Sequence, residues 1–286
     1  ADIDRAFAQA RAANKPLLLY WGATWCPPCN QLKATLFNRQ DFAALSQTFV
    51  AVHVDGDRPG AQKLGQQFKV RGYPTLVLFR PDGSEITRLP GEAEAPQVME
   101  LLRLGLAGGR SVRDVLADAR AGKALTASEW RLLAFYSWET DDEQLLGTAD
   151  AAGVLAALAP AAGSAGADTA TRLWLKALAA SDDGKGLKAD DALRERVRKV
   201  LADGAQSRAL ADVIVNGAPA MVQALADEPA SRQPWVAAFD TVLRRLQADA
   251  SLSRTDRLSA LVSRIELARL DLPRRELRPA LPEALL

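Results

Sequence analysis

The chain has 286 residues, of which 48% are hydrophobic and 25% are charged, so it is long enough for two globular domains of ordinary size. Thirty-six Lys and Arg residues balance 35 Asp and Glu residues, which leaves a formal charge of +1. Such a balance offers no general attraction to nucleic acid. No apolar run approaches the roughly 20 residues that cross a bilayer, so we expect neither a nucleic-acid partner nor a membrane span.

The first predicted elements lead to the only two cysteines of the chain. Residues 2–13 show helical periodicity, and the run PLLLYW at 16–21 is typical of a strand buried on both faces. The motif WCPPCN follows at 25–30, and apolar residues then recur at helical spacing. The sequence therefore predicts that the two thiols lie where a strand turns into a helix, with Cys26 at the helix N-terminus.

Three uses of the Cys26 and Cys29 pair can be compared. A disulfide would close too short a loop to stabilise the fold much, since the stabilisation grows with the logarithm of loop length. A structural zinc site requires four ligands, and the chain offers only these two thiols and one histidine, His53. We therefore expect no metal, and we interpret the pair as redox-active.

The predicted position of Cys26 suggests its chemistry. A helix N-terminus lowers the pKa of a cysteine thiol there, so Cys26 is the expected nucleophile and Cys29 the expected resolving thiol. Pro27 and Pro28 carry no N–H group, which leaves the N–H of Cys29 as the main donor to the Cys26 sulfur. Because no histidine separates the cysteines, we expect a moderate lowering of the pKa and a reducing rather than strongly oxidising pair.

The next predicted elements complete an α/β arrangement. A short helix and three further strands are expected before a helix that Pro96 opens. The ranges are 49–54 for a strand, 62–68 for the helix, and 75–79 and 85–89 for the two arms of a hairpin. Asp55, Gly56 and Asp57 are interpreted as a solvated turn. His53 is interpreted as a structural residue, because the sequence shows no converging catalytic or ligating partners.

The segments WCPPC and RGYPTLVLF together resemble the thioredoxin superfamily, and the second is similar to protein disulfide isomerase domains. The resemblance covers residues 1–107 and implies an α/β thioredoxin fold with a mixed sheet. It further implies that Pro74 is a cis proline, that Tyr73 offers backbone groups to an extended substrate, that Trp25 shields the thiols and that Gly91 lies in a third groove-lining loop. No cofactor is implied beyond the redox-active Cys26–Cys29 disulfide.

One position departs from the family pattern. The family's cytosolic reductases carry a buried acid six positions before the first cysteine, and this chain has Tyr20 there. That acid assists proton transfer to and from the resolving thiol, so the tyrosine predicts that water must take over this step.

Residues 108–286 are predicted to form an all-α domain, because strand-like runs vanish and Ala and Leu dominate. Thr126 and Glu129 form a capping box, and helix breaks are expected at 216–219 and around 229–234. Trp130, Trp174 and Trp235 lie within helical apolar periodicity, which favours core packing. Apolar faces are expected at residues 235–246 and 258–265. Two segments beginning at Thr126 and Thr169 share a similar spacing, so both a repeat array and an irregular bundle remain open.

The sequence thus predicts a thiol-disulfide oxidoreductase that reduces or isomerises protein disulfides through Cys26. The alternative is a chaperone or adaptor that uses a thioredoxin-like fold for peptide binding. Expected partners are disulfide-bearing proteins and an unidentified upstream thiol reductant or oxidant, and the helical half is expected to present clients or to build a homodimer. Export, for example to a periplasm, is favoured because the chain has no further thiols and starts like a mature product; a cytoplasmic protein is the alternative.

Overall fold

The structure is a computed structural model of the chain. It describes residues 3–70, 72–90, 94–107, 109–141, 145–147, 149–181, 186–226 and 228–270. Contacts divide the chain into two compact units, residues 1–148 and residues 149–286. The predicted domain boundary after residue 107 stays a prediction, and each unit is described below by itself.

A four-stranded mixed sheet forms the centre of the first unit. Its strands, in the order β2-β1-β3-β4 across the sheet, are β1 (Leu17–Gly22), β2 (Val50–Asp55), β3 (Thr75–Phe79) and β4 (Glu85–Pro90). Strand β1 runs parallel to β2 and antiparallel to β3, and β3 and β4 form an antiparallel hairpin. The predicted mixed sheet and its strands are confirmed.

Seven α-helices are described in the first unit: α1 (Ile3–Ala13), α2 (Pro27–Leu32), α3 (Gln40–Leu45), α4 (Ala61–Gln67), α5 (Ala95–Leu106), α6 (Val112–Arg120) and α7 (Ala127–Phe135). A π-helical turn, Lys33–Phe37, directly continues α2. Helices α6 and α7 both contact β4, and the predicted capping box of Thr126 and Glu129 begins α7. These two helices therefore extend the first unit beyond the segment that resembles the thioredoxin superfamily.

Both faces of strand β1 are buried, which explains its continuous apolar run. Leu18 and Tyr20 point into one core, which also holds both cysteines, whereas Leu17, Leu19 and Trp21 point into the other. Alternation along an extended chain sends successive side chains to opposite faces. The strand that leads to the cysteines is thus fixed from both sides, and the thiols lie in a packed environment.

The second unit is helical throughout its described part. Its helices are α8 (Ala151–Leu158), α9 (Ala167–Ala179), α10 (Asp191–Ala202), α11 (Gly204–Ala209), α12 (Ala211–Leu225), α13 (Pro229–Ala248) and α14 (Arg254–Leu270). The predicted all-α region is confirmed, and whether its helices form repeats stays a prediction. None of the described helices combines the length and apolarity that a bilayer crossing requires.

Two predictions for the second unit are wrong, namely the helix break at 216–219 and the apolar face of α14. Pro219 lies inside α12. The break predicted around 229–234 falls between α12, which ends at Leu225, and α13, which begins at Pro229 and continues through Pro234. The side chains of Leu258 and Val262 are 54% and 48% exposed, although they belong to the predicted apolar face of α14. Helix α14 instead buries a face that includes Ala260 and Ser263 against α12 and α13, since small residues let helices approach closely. The predicted apolar face of α13 is confirmed, because Trp235, Phe239, Val242, Leu243 and Leu246 are all buried.

Candidate active site

The two cysteines lie at the predicted corner between β1 and α2, and they form a disulfide. Cys26 is the N-cap residue of α2, and its Sγ accepts a hydrogen bond of 3.2 Å from the backbone N–H of Cys29. Pro27 and Pro28 occupy the first two helical positions and offer no N–H group. The predicted place of Cys26 at a helix N-terminus and the predicted donor to its sulfur are both confirmed.

The environment of the pair differs between its two sides. Cys26 is 3% exposed and Cys29 is fully buried in the core below the sheet, whereas the adjacent Trp25 is 64% exposed. The dithiol therefore lies just under the surface, with an exposed indole beside it.

The peptide bond between Tyr73 and Pro74 is cis, as the resemblance implied. Thr75, the first residue of β3, pairs with Trp21 near the end of β1, so the cis peptide lies next to the segment that leads to the cysteines. The Tyr73 ring meets the Trp25 ring edge to face, with 5.9 Å between the ring centroids. The structure thus brings Trp25, Tyr73 and Pro74 to the end of β1 where the thiols lie. Gly91, the remaining predicted site residue, lies outside the described residues.

Asp57 lies in the exposed turn after β2, as predicted, and its carboxylate connects two of these residues. One carboxylate oxygen accepts a hydrogen bond from the Trp25 indole N–H, and the other accepts one from the Tyr73 hydroxyl at 3.4 Å. The backbone N–H of Gly56 donates to the Gly22 carbonyl at 2.9 Å and fixes the turn beside β1. The sequence contained a signal for this contact. Strands β1 and β2 were both predicted, and acidic residues at the end of a strand parallel to β1 lie near the segment that follows β1, which contains Trp25 and the cysteines.

A buried arginine binds the backbone of the segment that precedes the cis proline. Arg88 in β4 is fully buried, and its guanidinium donates to the carbonyls of Lys69 at 2.6 Å and Phe68 at 2.8 Å. It also pairs with the Glu85 carboxylate at 3.0 Å. Phe68 and Lys69 directly follow α4 and lie a few residues before Tyr73 in the sequence. The sequence placed Arg88 in a strand but gave no sign of this anchoring role.

Tyr20 fills the position at which the family resemblance implied a buried acid. Its hydroxyl donates a 3.5 Å hydrogen bond to the carbonyl of Cys29, and its ring stacks on His53 with 4.8 Å between the centroids. Burial raises the pKa of the Tyr20 hydroxyl to about 12. His53 lies on the edge strand β2, and partial burial together with the cation of Lys33 lowers its pKa. Both side chains are therefore neutral at neutral pH.

The neutrality of Tyr20 leads to a testable prediction. We expect Tyr20→Phe to change the rate of thiol-disulfide exchange by no more than about twofold, since the lost hydrogen bond is long and contacts only a backbone carbonyl. The pH-rate profile should keep its shape between pH 6 and 9, because a hydroxyl with a pKa of about 12 holds its proton throughout that range. Stopped-flow kinetics over this range measures both quantities. A profile that loses an ionisation in the phenylalanine variant would assign a proton-transfer role to Tyr20.

The fold and the site together define a class of protein: an α/β protein with a dithiol at a helix N-terminus beside a cis proline. A family model described as a thioredoxin-like domain matches residues 3–105. Thioredoxin-like protein slr0233 of Synechocystis sp. is 33% identical over 99 residues, which are 34% of this chain and 90% of that protein. The chain belongs to this thioredoxin-like family.

Two further relatives agree with this assignment. Thioredoxin of Mycobacterium tuberculosis is 34% identical over 89 residues, which cover 31% of this chain and 72% of that protein. Thiol:disulfide interchange protein DsbD 1 of Pseudomonas aeruginosa is 31% identical over 107 residues, or 36% of this chain. That match spans only 18% of the length of the DsbD protein. The similarity therefore concerns the thioredoxin-like domain, and the helical half of the chain lies beyond it.

Proposed function

We propose that the protein is a thiol-disulfide oxidoreductase that reduces or isomerises disulfides of other proteins through Cys26. The observation that carries this proposal is the hydrogen bond from the Cys29 N–H to the Cys26 sulfur at the start of α2. A donor and a helix N-terminus aimed at one sulfur stabilise its thiolate, which is the nucleophilic form of cysteine. Relatives named for thiol:disulfide interchange support the same chemistry.

The reaction has two exchange steps. The thiolate of reduced Cys26 attacks one sulfur of a substrate disulfide, forms a mixed disulfide and releases the other substrate sulfur as a thiolate, which takes up a proton. Cys29 then loses its proton and attacks the Cys26 sulfur, which closes the Cys26–Cys29 disulfide and releases the second substrate thiol. Two electrons pass from the dithiol to the substrate. A dithiol partner upstream must supply two electrons to reopen the disulfide for the next cycle.

The side chains around the thiols suggest how a protein substrate binds. We assign Trp25 to shielding the dithiol, and we assign the backbone of Tyr73 beside Pro74 to pairing with an extended substrate segment. Gly91 remains a predicted contributor from a third loop. Because both cysteines of the chain belong to the active pair, no other thiol can be oxidised in error, which supports our proposal that the protein acts in an exported, oxidising setting. Client presentation and dimer formation by the helical half stay predictions.

A redox titration tests the proposal directly. We expect the Cys26–Cys29 pair to cycle reversibly, with a potential nearer to that of thioredoxin, about −270 mV, than to the about −120 mV of the strongest oxidants. The reason is that only one backbone donor in the first turn of α2 stabilises the Cys26 thiolate. Equilibration with glutathione or dithiothreitol buffers measures the potential, and thiolate absorbance followed against pH measures the pKa of Cys26. A pair that does not cycle would refute the proposed function.

A further inference from the structure

We propose that Asp57 is a positioning residue, which holds Trp25 and Tyr73 in place beside Cys26 and so presents a preformed surface to protein substrates. This inference rests on the proposed function. It concerns a carboxylate in the turn after β2, which the sequence analysis did not connect with the thiols. The geometry of three loops carries the argument.

A single carboxylate joins loops that are far apart in the sequence. Asp57 accepts one hydrogen bond from the Trp25 indole, 32 residues earlier, and one from the Tyr73 hydroxyl, 16 residues later. Trp25 directly precedes the nucleophile, and Tyr73 directly precedes the cis proline. Hydrogen bonds to an ionised acceptor are stronger than those between neutral groups. The two aromatic side chains that flank the dithiol thus contact the same carboxylate, the Trp25 indole through a direct hydrogen bond and the Tyr73 hydroxyl through a longer one.

The turn that carries Asp57 is itself anchored. The Asp57 N–H donates to an Asp55 carboxylate oxygen at 3.2 Å, and the Gly56 N–H donates to the Gly22 carbonyl at the end of β1. A Cβ atom on Gly56 would clash with the Tyr73 hydroxyl and ring, so a glycine is needed for the phenol to reach the carboxylate. The carboxylate therefore has a fixed position relative to the strand that leads to Cys26.

The exposure of Trp25 indicates why such anchoring matters. An indole that is 64% exposed gains little from burial, so packing alone would leave it free to adopt several rotamers. The bond to Asp57 and the edge-to-face contact with Tyr73 select one orientation. A preordered surface binds a protein segment more tightly, because less side-chain freedom is lost on binding. Small disulfides, which reach Cys26 without using this surface, gain no such benefit.

The test compares Asp57→Ala with the wild type on two substrates. For insulin disulfides we expect KM to rise about five- to tenfold, the effect of losing one or two hydrogen bonds, while kcat stays within about twofold. For a small aromatic disulfide the rate should stay the same or increase, since the shield over Cys26 loosens. The indole N–H resonance of Trp25, assigned with Trp25→Phe, should shift and exchange faster with water. This spectroscopic change distinguishes positioning of the indole from a general loss of stability.

Three further variants keep the result interpretable. Asp57→Asn retains an oxygen acceptor for Trp25 and should recover part of the wild-type KM. Gly56→Ala leaves Asp57 intact but displaces Tyr73, so it should also raise KM for insulin. Asp82→Ala removes the same charge from the turn at the other end of β3, where the carboxylate binds Ser84, and should leave both substrates unaffected. If Asp57→Ala folds poorly, the first two variants decide the question.

The outcomes separate this inference from the proposed function. If the wild-type protein reduces insulin and Asp57→Ala has an unchanged KM, the positioning role is refuted while the oxidoreductase proposal stands. An equal loss on both substrates would also refute it, because it would indicate an effect on the thiols themselves. If the wild-type protein reduces neither substrate, the proposed function fails first.

Discussion

Cys26→Ser is expected to abolish the reduction of insulin disulfides, with a loss of at least about a thousandfold. A serine hydroxyl is not ionised at neutral pH and does not form the mixed disulfide on which both exchange steps depend. Insulin precipitation in the presence of dithiothreitol, corrected for the uncatalysed rate, measures the effect. Activity that is indifferent to this change would favour the alternative of a chaperone or adaptor that uses the fold only to bind peptides.

The matched variant Cys29→Ser should fail in a different way. Cys26 retains its helix N-terminus and its nucleophilicity, so the first exchange step proceeds, but no resolving thiol follows. We expect a disulfide-linked complex with the substrate that survives denaturation without reductant and disappears when reductant is added. Mass spectrometry of the trapped complex should identify Cys26 as the bonded residue. If Cys29→Ser forms no disulfide-linked complex, or if the wild type accumulates the same complex to the same extent, the assigned roles would be contradicted.

Arg88→Met is expected to lower the unfolding free energy of the first unit by about 3–5 kcal/mol, the usual cost of breaking a buried ion pair from one side. The fully buried guanidinium binds the carbonyls of Phe68 and Lys69 and pairs with Glu85. Methionine fills a similar volume but satisfies none of these groups. Amide hydrogen exchange of β3 and β4 in the full chain measures the change, because these strands lie in the core of the unit.

Two controls define the source of this effect. Arg88→Lys keeps the charge but replaces the planar fork of donors by one ammonium group, so we expect an intermediate loss. Arg120→Met makes the same side-chain change at an exposed position at the end of α6 and should stay within about 0.5 kcal/mol of the wild type. Should Arg88→Met and Arg120→Met be equally stable, the buried guanidinium does not hold the loop before the cis proline.

The sequence predicted well wherever local signals decide the structure. Apolar runs and turn residues placed all four strands within one or two residues, and the spacing of Cys26, Pro27, Pro28 and Cys29 placed the thiols at a helix N-terminus. The donor to Cys26 followed from elimination, because prolines have no N–H group. Such features depend on neighbours within about four residues, which a sequence displays directly.

The parts that the sequence missed depend on contacts between distant segments. Asp57 contacts Trp25 and Tyr73 only because the ends of β1 and β2 lie beside the start of β3, and the pattern DGD by itself indicates an ordinary polar turn. Arg88 was placed in a strand, but the two carbonyls that it binds belong to Lys69 and Phe68, which are 19 and 20 residues away in sequence. Pro219 was expected to end a helix, yet α12 continues through it. There Gly217 packs against Ala179 of α9, so tertiary packing outweighs the local preference.

The two prolines at the start of α2 also bear on how the protein could vary. An N-cap side chain accepts hydrogen bonds from the backbone N–H of the second or third helical residue. Here the second residue is Pro28, which has no N–H group, so only the N–H of Cys29 donates to the Cys26 sulfur. Replacing Pro28 by a residue with an N–H group would add a second donor to the Cys26 sulfur. Because this donor stabilises the thiolate, the equilibrium would shift from the disulfide toward the reduced dithiol on the same fold. A substitution at this one position could thus change the pair from an electron donor into an electron acceptor without a new fold.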